Sequence, residues 1–501
     1  MSRSDPHNRS KSPEAHHLLR HAPQYLSATY LSRALCALRS LLNARWLGPE
    51  LYGFWGSLSL ALSFGFYLHG GVQDIAVRDI PMARSRGQGD LAERTARVSW
   101  TFFTALLLIA GAIFWLVAWC LPAGSPALIR WGVRVAGLVL PLEVLFLFEQ
   151  KMNRAVEQFG HVSRALLIAS LVSLGMTCWL VVAYGLVGLF VVAVLTPALG
   201  LWYLRRRASY PWRVTWSGPP VRAMLRAGWP ILVMTVVFEA LGWIDRLLVL
   251  AFVGMTGFGY YALATMLAQF CFLFPEGVAS VVEPRLYFDY GRRRHPMDVR
   301  QHLWRSLKTL AWLMPLGLAV VDLLLPPFIH RWLPAYTPGI PAMRILVWGS
   351  ILMGLAACTK SFLVALDQQR RVLPLYGTAI AVNILASVAL VWRGWGLTGI
   401  ALGTVAAYGT CCTGLLVVAF RCAGWSGRSI RARIASLYAP VAVVCALTVG
   451  LPALVRVTGL VAYGAVIGWR MVRRARADGS SGLLRHPEPT WQAVASSEAS
   501  T

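Results

Sequence analysis

Apolar stretches long enough to cross a bilayer recur along the whole chain, broken by short polar segments that hold most of its charge. A helix needs roughly 17 to 25 apolar residues to span the hydrocarbon core. Six such stretches lie near 23–47, 51–71, 98–122, 127–150, 164–184 and 186–204. Six more lie near 227–252, 257–282, 309–330, 341–366, 372–392 and 396–420. Two further stretches, near 434–454 and 457–472, follow them. The pattern predicts an all-α polytopic membrane protein with about 14 transmembrane helices.

The first twelve spans repeat. Sliding the sequence without a gap by 206 residues, the step from Gly48 to Gly254, sets Gly48-Pro49-Glu50-Leu51-Tyr52-Gly53-Phe54-Trp55 on Gly254-Met255-Thr256-Gly257-Phe258-Gly259-Tyr260-Tyr261. The same register sets Gly71-Val72 on Gly277-Val278, and Thr29, Ala34, Leu35, Leu41, Leu42, Phe64 and Phe66 meet identical residues. A register that keeps the glycines and the aromatic pair marks a tandem duplication. With six spans per half, the repeats share one orientation and are related by an axis along the membrane normal. The last pair of spans has no counterpart.

The register also aligns charge. Arg33 falls on Glu239 and Arg39 on Asp245, so the first helix of each half carries two ionisable residues at matching depth. Arg39 and Asp245 each lie about 14 Å, at about 1.5 Å per residue, from the glycine that ends the segment. That depth favours a cavity or a contact between the halves over snorkelling to the interface, which suits Arg45. Thr29, Ser32, Cys36, Arg39 and Asn43 follow helical spacings and form one polar stripe, with Arg33 and Ser40 beside it. Such a stripe is either a packing seam or the wall of an anion-attracting cavity, and two arginines that keep their charge favour the wall. Deeper charges elsewhere are Arg134 and Glu143 in the fourth span and Lys360 in the tenth. Asp74 and Arg78 at the end of the second span, and Glu283 at the end of the eighth, stand at equivalent inner ends as candidates for an inner gate.

Composition fits this picture. Of 501 residues, 57% are apolar and 14% charged, and the mean hydropathy is +0.58. The formal charge of +26 would suggest nucleic acid in a soluble protein. Here the basic residues sit mostly in alternate connections, including Arg205-Arg206-Arg207, Arg292-Arg293-Arg294 and the Arg470–Arg476 segment, where they set topology. Both termini and the loops 205–226 and 285–308 are then cytoplasmic, and no nucleic-acid partner is implied. The nine cysteines and ten histidines show no metal-ligand spacing in a span. No Gly-x-x-x-x-Gly-Lys-Ser/Thr loop is present, and no outer loop is long enough to hold catalytic machinery, so neither a cofactor nor a catalytic residue is expected.

The partition read from these features is a basic cytoplasmic arm (1–22), an N-lobe of six spans (23–206), a linker (207–226), a C-lobe of six spans (227–420), a second linker (421–433), a helix pair (434–472) and a compositionally disordered tail (473–501).

Ala44-Arg45-Trp46-Leu47-Gly48-Pro49-Glu50-Leu51-Tyr52-Gly53, Gly71 at the end of the second span and Arg78-Asp79-Ile80-Pro81 before a basic inner loop resemble the polysaccharide-transporter branch of the multidrug, oligosaccharidyl-lipid and polysaccharide exporter superfamily, which includes O-antigen (Wzx-type) flippases. Asp245-Arg246-Leu247-Leu248-Val249 before Gly254, and Gly259-Tyr260-Tyr261-Ala262-Leu263-Ala264, repeat the plan. The resemblance covers most of residues 23–420. It implies two six-helix bundles forming a V around a central cavity, and transport of an oligosaccharide on an undecaprenyl pyrophosphate carrier across the bacterial cytoplasmic membrane. Polysaccharide polymerase and chain-length regulator are the implied partners. Arg33, Arg39, Arg134 and Lys360 would form a cationic cavity suited to the pyrophosphate. Glu143, Glu239, Asp245 and Arg246 would serve inter-lobe contact or coupling. The alternatives are a lipid II-type flippase, a cation-coupled antiporter of the same fold, and a membrane-embedded glycan polymerase or ligase.

Overall fold

The computed structural model describes residues 13–448, except 123, 125, 157, 208–214, 216, 217, 294, 295 and 367, together with 458–460 and 462–466; the side chains of 13–24, 26, 85, 218, 219, 278–299, 302, 365 and 369 lie outside that description. The described chain is helical. In order it forms α1 (Pro13–Gly65), α2 (Val72–Ser85), α3 (Gly89–Cys120), α4 (Ala127–Ala155), α5 (Phe159–Met176), a π-helical turn (Thr177–Val181), α6 (Val182–Tyr184), α7 (Leu186–Arg205), α8 (Gly218–Ala240), α9 (Ile244–Phe252), α10 (Gly254–Arg293), α11 (Pro296–Trp332), a 3-10 turn (Pro334–Gly339), α12 (Ile340–Ala365), α13 (Gln369–Trp392), α14 (Gly396–Cys422) and α15 (Gly427–Thr448). Among the described residues, 11 helices are long and apolar enough to cross a membrane. The protein is a multi-pass membrane protein.

α1 holds the first two spans, joined across a kink at Gly48 (φ 73°, ψ 174°). Gly254, its repeat equivalent, also has positive φ (85°) and separates α9 from α10. Only glycine enters this backbone region without strain, so the duplication preserves a hinge in both halves.

Two breaks differ from the sequence reading. The seventh span is not one helix but α8 and α9, parted by a turn at 241–243. Trp243 in that turn takes the edges of Phe64 and Tyr67, with ring centroids 4.8 and 5.0 Å apart, so tertiary packing holds the break. The second span ends at Gly65 rather than at Gly71. Gly70 (φ 60°) and Gly71 (φ 86°) complete the turn, in which the Gly71 N–H donates to buried His69 Nδ1 at 2.9 Å. α2 then starts afresh, burying Val72, Ile75, Ala76, Ile80 and Ala83 while Arg78 and Met82 stay exposed. That stripe at helical spacing marks an amphipathic helix.

The helices form two compact units: Met1–Phe270, Pro326–Gly349 and Gln369–Cys411 in one, and Cys271–Leu325, Ser350–Gln368 and Cys412–Thr501 in the other. In the first, helices approach through glycine. A methyl at Gly111 of α3 or at Gly137 of α4 would run into the other's carbonyl oxygen, the close packing by which helices associate in lipid. Phe146, Ala165, Ala169 and Leu204 form a core among α4, α5 and α7. Beside it Arg205 Nη1 meets Glu149 Oε1 at 2.7 Å with both side chains buried, and the guanidinium lies 4.6 Å from the centroid of Trp100. Trp119, Trp179 and Trp392 are among the most exposed large residues, as an aromatic belt requires.

In the second unit, Arg433 of α15 lies over Trp304 (4.6 Å) and Trp425 (4.4 Å). Tyr438 Oη and Thr413 Oγ1 are 2.9 Å apart, and Tyr463 stacks on Trp312 with centroids 6.1 Å apart. The segments beyond the repeat are thereby tied to α11 and α14.

Candidate functional site

The polar stripe of α1 faces α5. Ser32 Oγ lies 2.6 Å from Ser170 Oγ, Cys36 Sγ lies 3.9 Å from the same hydroxyl, and Arg39 Nη1 donates to Ser173 Oγ. Ser170, Ser173 and Thr177 follow spacings of three and four, so α5 and the π-helical turn after it present a matching stripe. Over this length the stripe is a packing seam of hydrogen-bonding residues, the alternative that the two arginines had weighed against. Arg39 is not used up by the seam: its Nε is buried without a hydrogen-bond partner. Arg39 is also the charge that acts on the Glu143 carboxyl of α4.

α9 starts with an acid. Asp245 sits in its first turn, 1% exposed, where the helix dipole favours negative charge. A buried carboxylate needs donors, and it has them. Tyr261 Oη donates to Asp245 Oδ2 at 2.7 Å and the Arg246 N–H donates to Oδ1 at 2.8 Å. Thr404 Oγ1 lies 3.1 Å from the Tyr261 hydroxyl and 3.5 Å from Oδ2. Asp245 and Arg246 both act on Tyr408.

Tyr52 joins the two groups. Its hydroxyl is buried, lies 2.8 Å from Ser40 Oγ, and feels two charges, Arg246 and Arg39. Arg246 stands at the repeat position of Ser40 and, like Arg39, has a buried Nε without a hydrogen-bond partner. Beyond Tyr52, the ring of Tyr336 meets Tyr52 and Tyr260 edge-on, with centroids 6.2 and 5.9 Å away. One guanidinium from the first span of each half thus lies within electrostatic range of a single phenol, with Glu143 and Asp245 as the accompanying acids. Such a set presents donors to an anion, and guanidinium forks match phosphate oxygens.

The other sequence-derived candidates lie elsewhere. Arg33 and Glu239 are on exposed helix faces. Arg134 lies over Trp131, 5.5 Å from its centroid. Lys360 belongs to the second unit. Asp74, Lys151 and His69 interact at the start of α2. Arg78 Nε donates to Asp79 Oδ1 at 2.8 Å on the surface, and that bond and charge hold its guanidinium above the usual value. The side chain of Glu283 lies outside the described residues. Tyr52, Thr404 and Ser173 were not singled out from sequence, and Tyr261 stood out only as part of the repeated aromatic pair Tyr260-Tyr261; Tyr52 stands in the Leu-Gly-Pro-x-x-Tyr-Gly run, which was its one signal.

Residues 42–321 match the family described as polysaccharide biosynthesis protein, a stretch that holds Tyr52, Glu143, Asp245, Arg246 and Tyr261. The chain belongs to the polysaccharide biosynthesis protein family. Among solved structures, this family member is similar to the lipid II flippase MurJ in an inward closed conformation, with a TM-score of 0.67 at 16% identity over 89% of this chain and 99% of that one. It is also similar to an inward-facing multidrug resistance MATE family transporter of the MOP superfamily, with a TM-score of 0.63 at 15% identity over 81% of this chain and 96% of that one. The chain therefore shares its fold with both of these solved structures. A search of the curated proteins finds no match.

Proposed function

We propose that the protein is a flippase that moves an oligosaccharide linked to undecaprenyl pyrophosphate from the cytoplasmic to the outer leaflet of the bacterial cytoplasmic membrane, for surface polysaccharide assembly. The observation that carries this reading is the pair of guanidinium groups, Arg39 and Arg246, within electrostatic range of Tyr52 and each with a buried Nε that has no hydrogen-bond partner. A diphosphate supplies the acceptor oxygens that such donors lack. Arg33 and Arg134, in the same unit, add positive charge for the headgroup to meet. Asp245 and Glu143 balance the arginines when the site is empty and are the coupling residues, since a proton or cation taken up there would change the charge that the headgroup meets. Asp74 and Arg78 border the inner opening. Both termini face the cytoplasm, lobes at 23–206 and 227–420 alternate access, and a polymerase with a chain-length regulator receives the product. In cells lacking the chain, lipid-diphosphate-linked oligosaccharide is expected to accumulate on the cytoplasmic leaflet while surface polymer disappears. Normal polymer, or a block before the lipid-linked unit is complete, would overturn the reading.

A further inference from the structure

The duplication that places Gly53 on Gly259 also packs them together. A methyl at Gly53 would run into Met255 O and lie 2.8 Å from the Gly259 nitrogen; one at Gly259 would run into Pro49 O and lie 2.8 Å from the Pro49 carbonyl carbon. Pro49 and Met255 are themselves repeat equivalents. The contact is thus its own image under exchange of the halves: carbonyl 49 against glycine 259, carbonyl 255 against glycine 53. It joins α1 to α10 within the first unit, five residues beyond the positive-φ hinges Gly48 and Gly254. No side chain stands between the backbones, so the two helices have no wider packed arrangement at this point; they are either in contact or apart.

The hinges are not latched alike. Ser40 and Tyr52 flank Gly48, and their 2.8 Å hydrogen bond spans the kink. At the equivalent positions of the second half stand Arg246 and Phe258, which cannot make that bond. The phenol that latches the first hinge is the one on which Arg39 and Arg246 act, and it is the residue before Gly53. Tyr260 follows Gly259, and both rings rest edge-on against Tyr336.

We propose that the Gly53–Gly259 contact is a clasp released by occupancy of the anion site: a diphosphate held by Arg39 and Arg246 draws the Tyr52 hydroxyl away from Ser40, unlatching the Gly48 hinge so that α1 and α10 part. The inference rests on the arginine reading above and adds its regulation. Tyr52 acts as a positioning residue. The clasp keeps the pathway shut while the site is empty, and the substrate's own headgroup supplies the release.

Ser57 reports on the clasp, since its Oγ lies 3.7 Å from Met255 Sδ. The full-length chain, with its native cysteines replaced and Ser57→Cys introduced, is placed in lipid nanodiscs and labelled with a maleimide. Inorganic pyrophosphate binding is measured by calorimetry on the same sample. Pyrophosphate is expected to bind and to raise the labelling rate about tenfold, the factor that one charge-assisted hydrogen bond supplies. Ser40→Ala should raise labelling without ligand, and Tyr52→Phe should raise it and abolish the response while pyrophosphate still binds. Oxidative cross-linking of Ser57→Cys with Met255→Cys should stop export, and reduction should restore it. No binding would overturn the arginine reading and this one with it. Binding with unchanged labelling, a Tyr52→Phe variant that still responds, or full export from cross-linked protein would overturn the clasp alone.

Discussion

Replacing Arg39 with alanine removes two things that can be separated. The first is the hydrogen bond to Ser173 in the α1–α5 seam, and a hydrogen bond from a charged donor contributes about 1.5–3 kcal/mol. The second is the positive charge that acts on Glu143. Glu143 is half-buried, and no ion-pair contact joins it to Arg39 among the described residues, so its share falls below the roughly 3–5 kcal/mol lost when a contacting buried pair is broken. A total near 3 kcal/mol follows, enough to lower abundance several-fold in a marginally stable protein. Glu143→Gln in the same chain relieves the second part. Arg39→Ala should therefore lower both membrane abundance and polymer export, and Arg39→Ala with Glu143→Gln should recover most of the abundance and none of the export. Arg39→Lys keeps the charge but not the fork, so abundance should be normal and export reduced. The assay is surface polymer per unit of membrane protein, with detergent melting of the purified variants. Export that returns in step with abundance in the double variant would refute an anion-binding role and leave Arg39 a seam residue.

Three further outcomes follow from the structure. Arg205→Ala leaves Glu149 buried without its partner and should cost about 3–5 kcal/mol, read as a large fall in melting temperature, whereas Arg205→Gln with Glu149→Gln should recover part of it. Asp245→Asn keeps the shape of the Tyr261 and Thr404 pocket but loses its charge, so the protein should remain folded while export stops responding to the coupling gradient; an unchanged response would remove Asp245 from coupling. Arg300→Cys, near the start of α11, should be labelled by an impermeant maleimide only from the cytoplasmic side, and labelling from outside would invert the topology.

The fold was legible where one chemical property sets it over many residues. Apolar run length located the helices, and the ungapped register foretold that Gly48 and Gly254 would play the same role, because a backbone requirement for glycine is visible in sequence. Hydropathy could not show the break at 241–243 or the early end of α1. Leu241, Gly242 and Trp243 are no less apolar than their neighbours, and the turn is fixed by Phe64 and Tyr67 packing on Trp243. The candidate site was half legible. Charges deep in a span announce themselves, so Arg39, Glu143 and Asp245 stood out. Their partners did not: Tyr261 and Thr404 lie 16 and 159 positions from Asp245, and an aromatic or a threonine in a membrane helix carries no mark of its function. For the same reason the α1 stripe favoured a cavity wall until Ser170 and Ser173 were found opposite it.

The claim at the centre of this account is that two arginines, one from each half, hold a diphosphate headgroup during transfer. Its most direct test is transbilayer movement in proteoliposomes of purified protein, comparing a fluorescent oligosaccharide on a polyprenyl diphosphate with the same oligosaccharide on an uncharged lipid. Protein-dependent movement of the diphosphate lipid is expected, lost in Arg39→Lys with Arg246→Lys, with no movement of the uncharged one. Equal movement of both lipids, or full transfer by the double lysine variant, would contradict it.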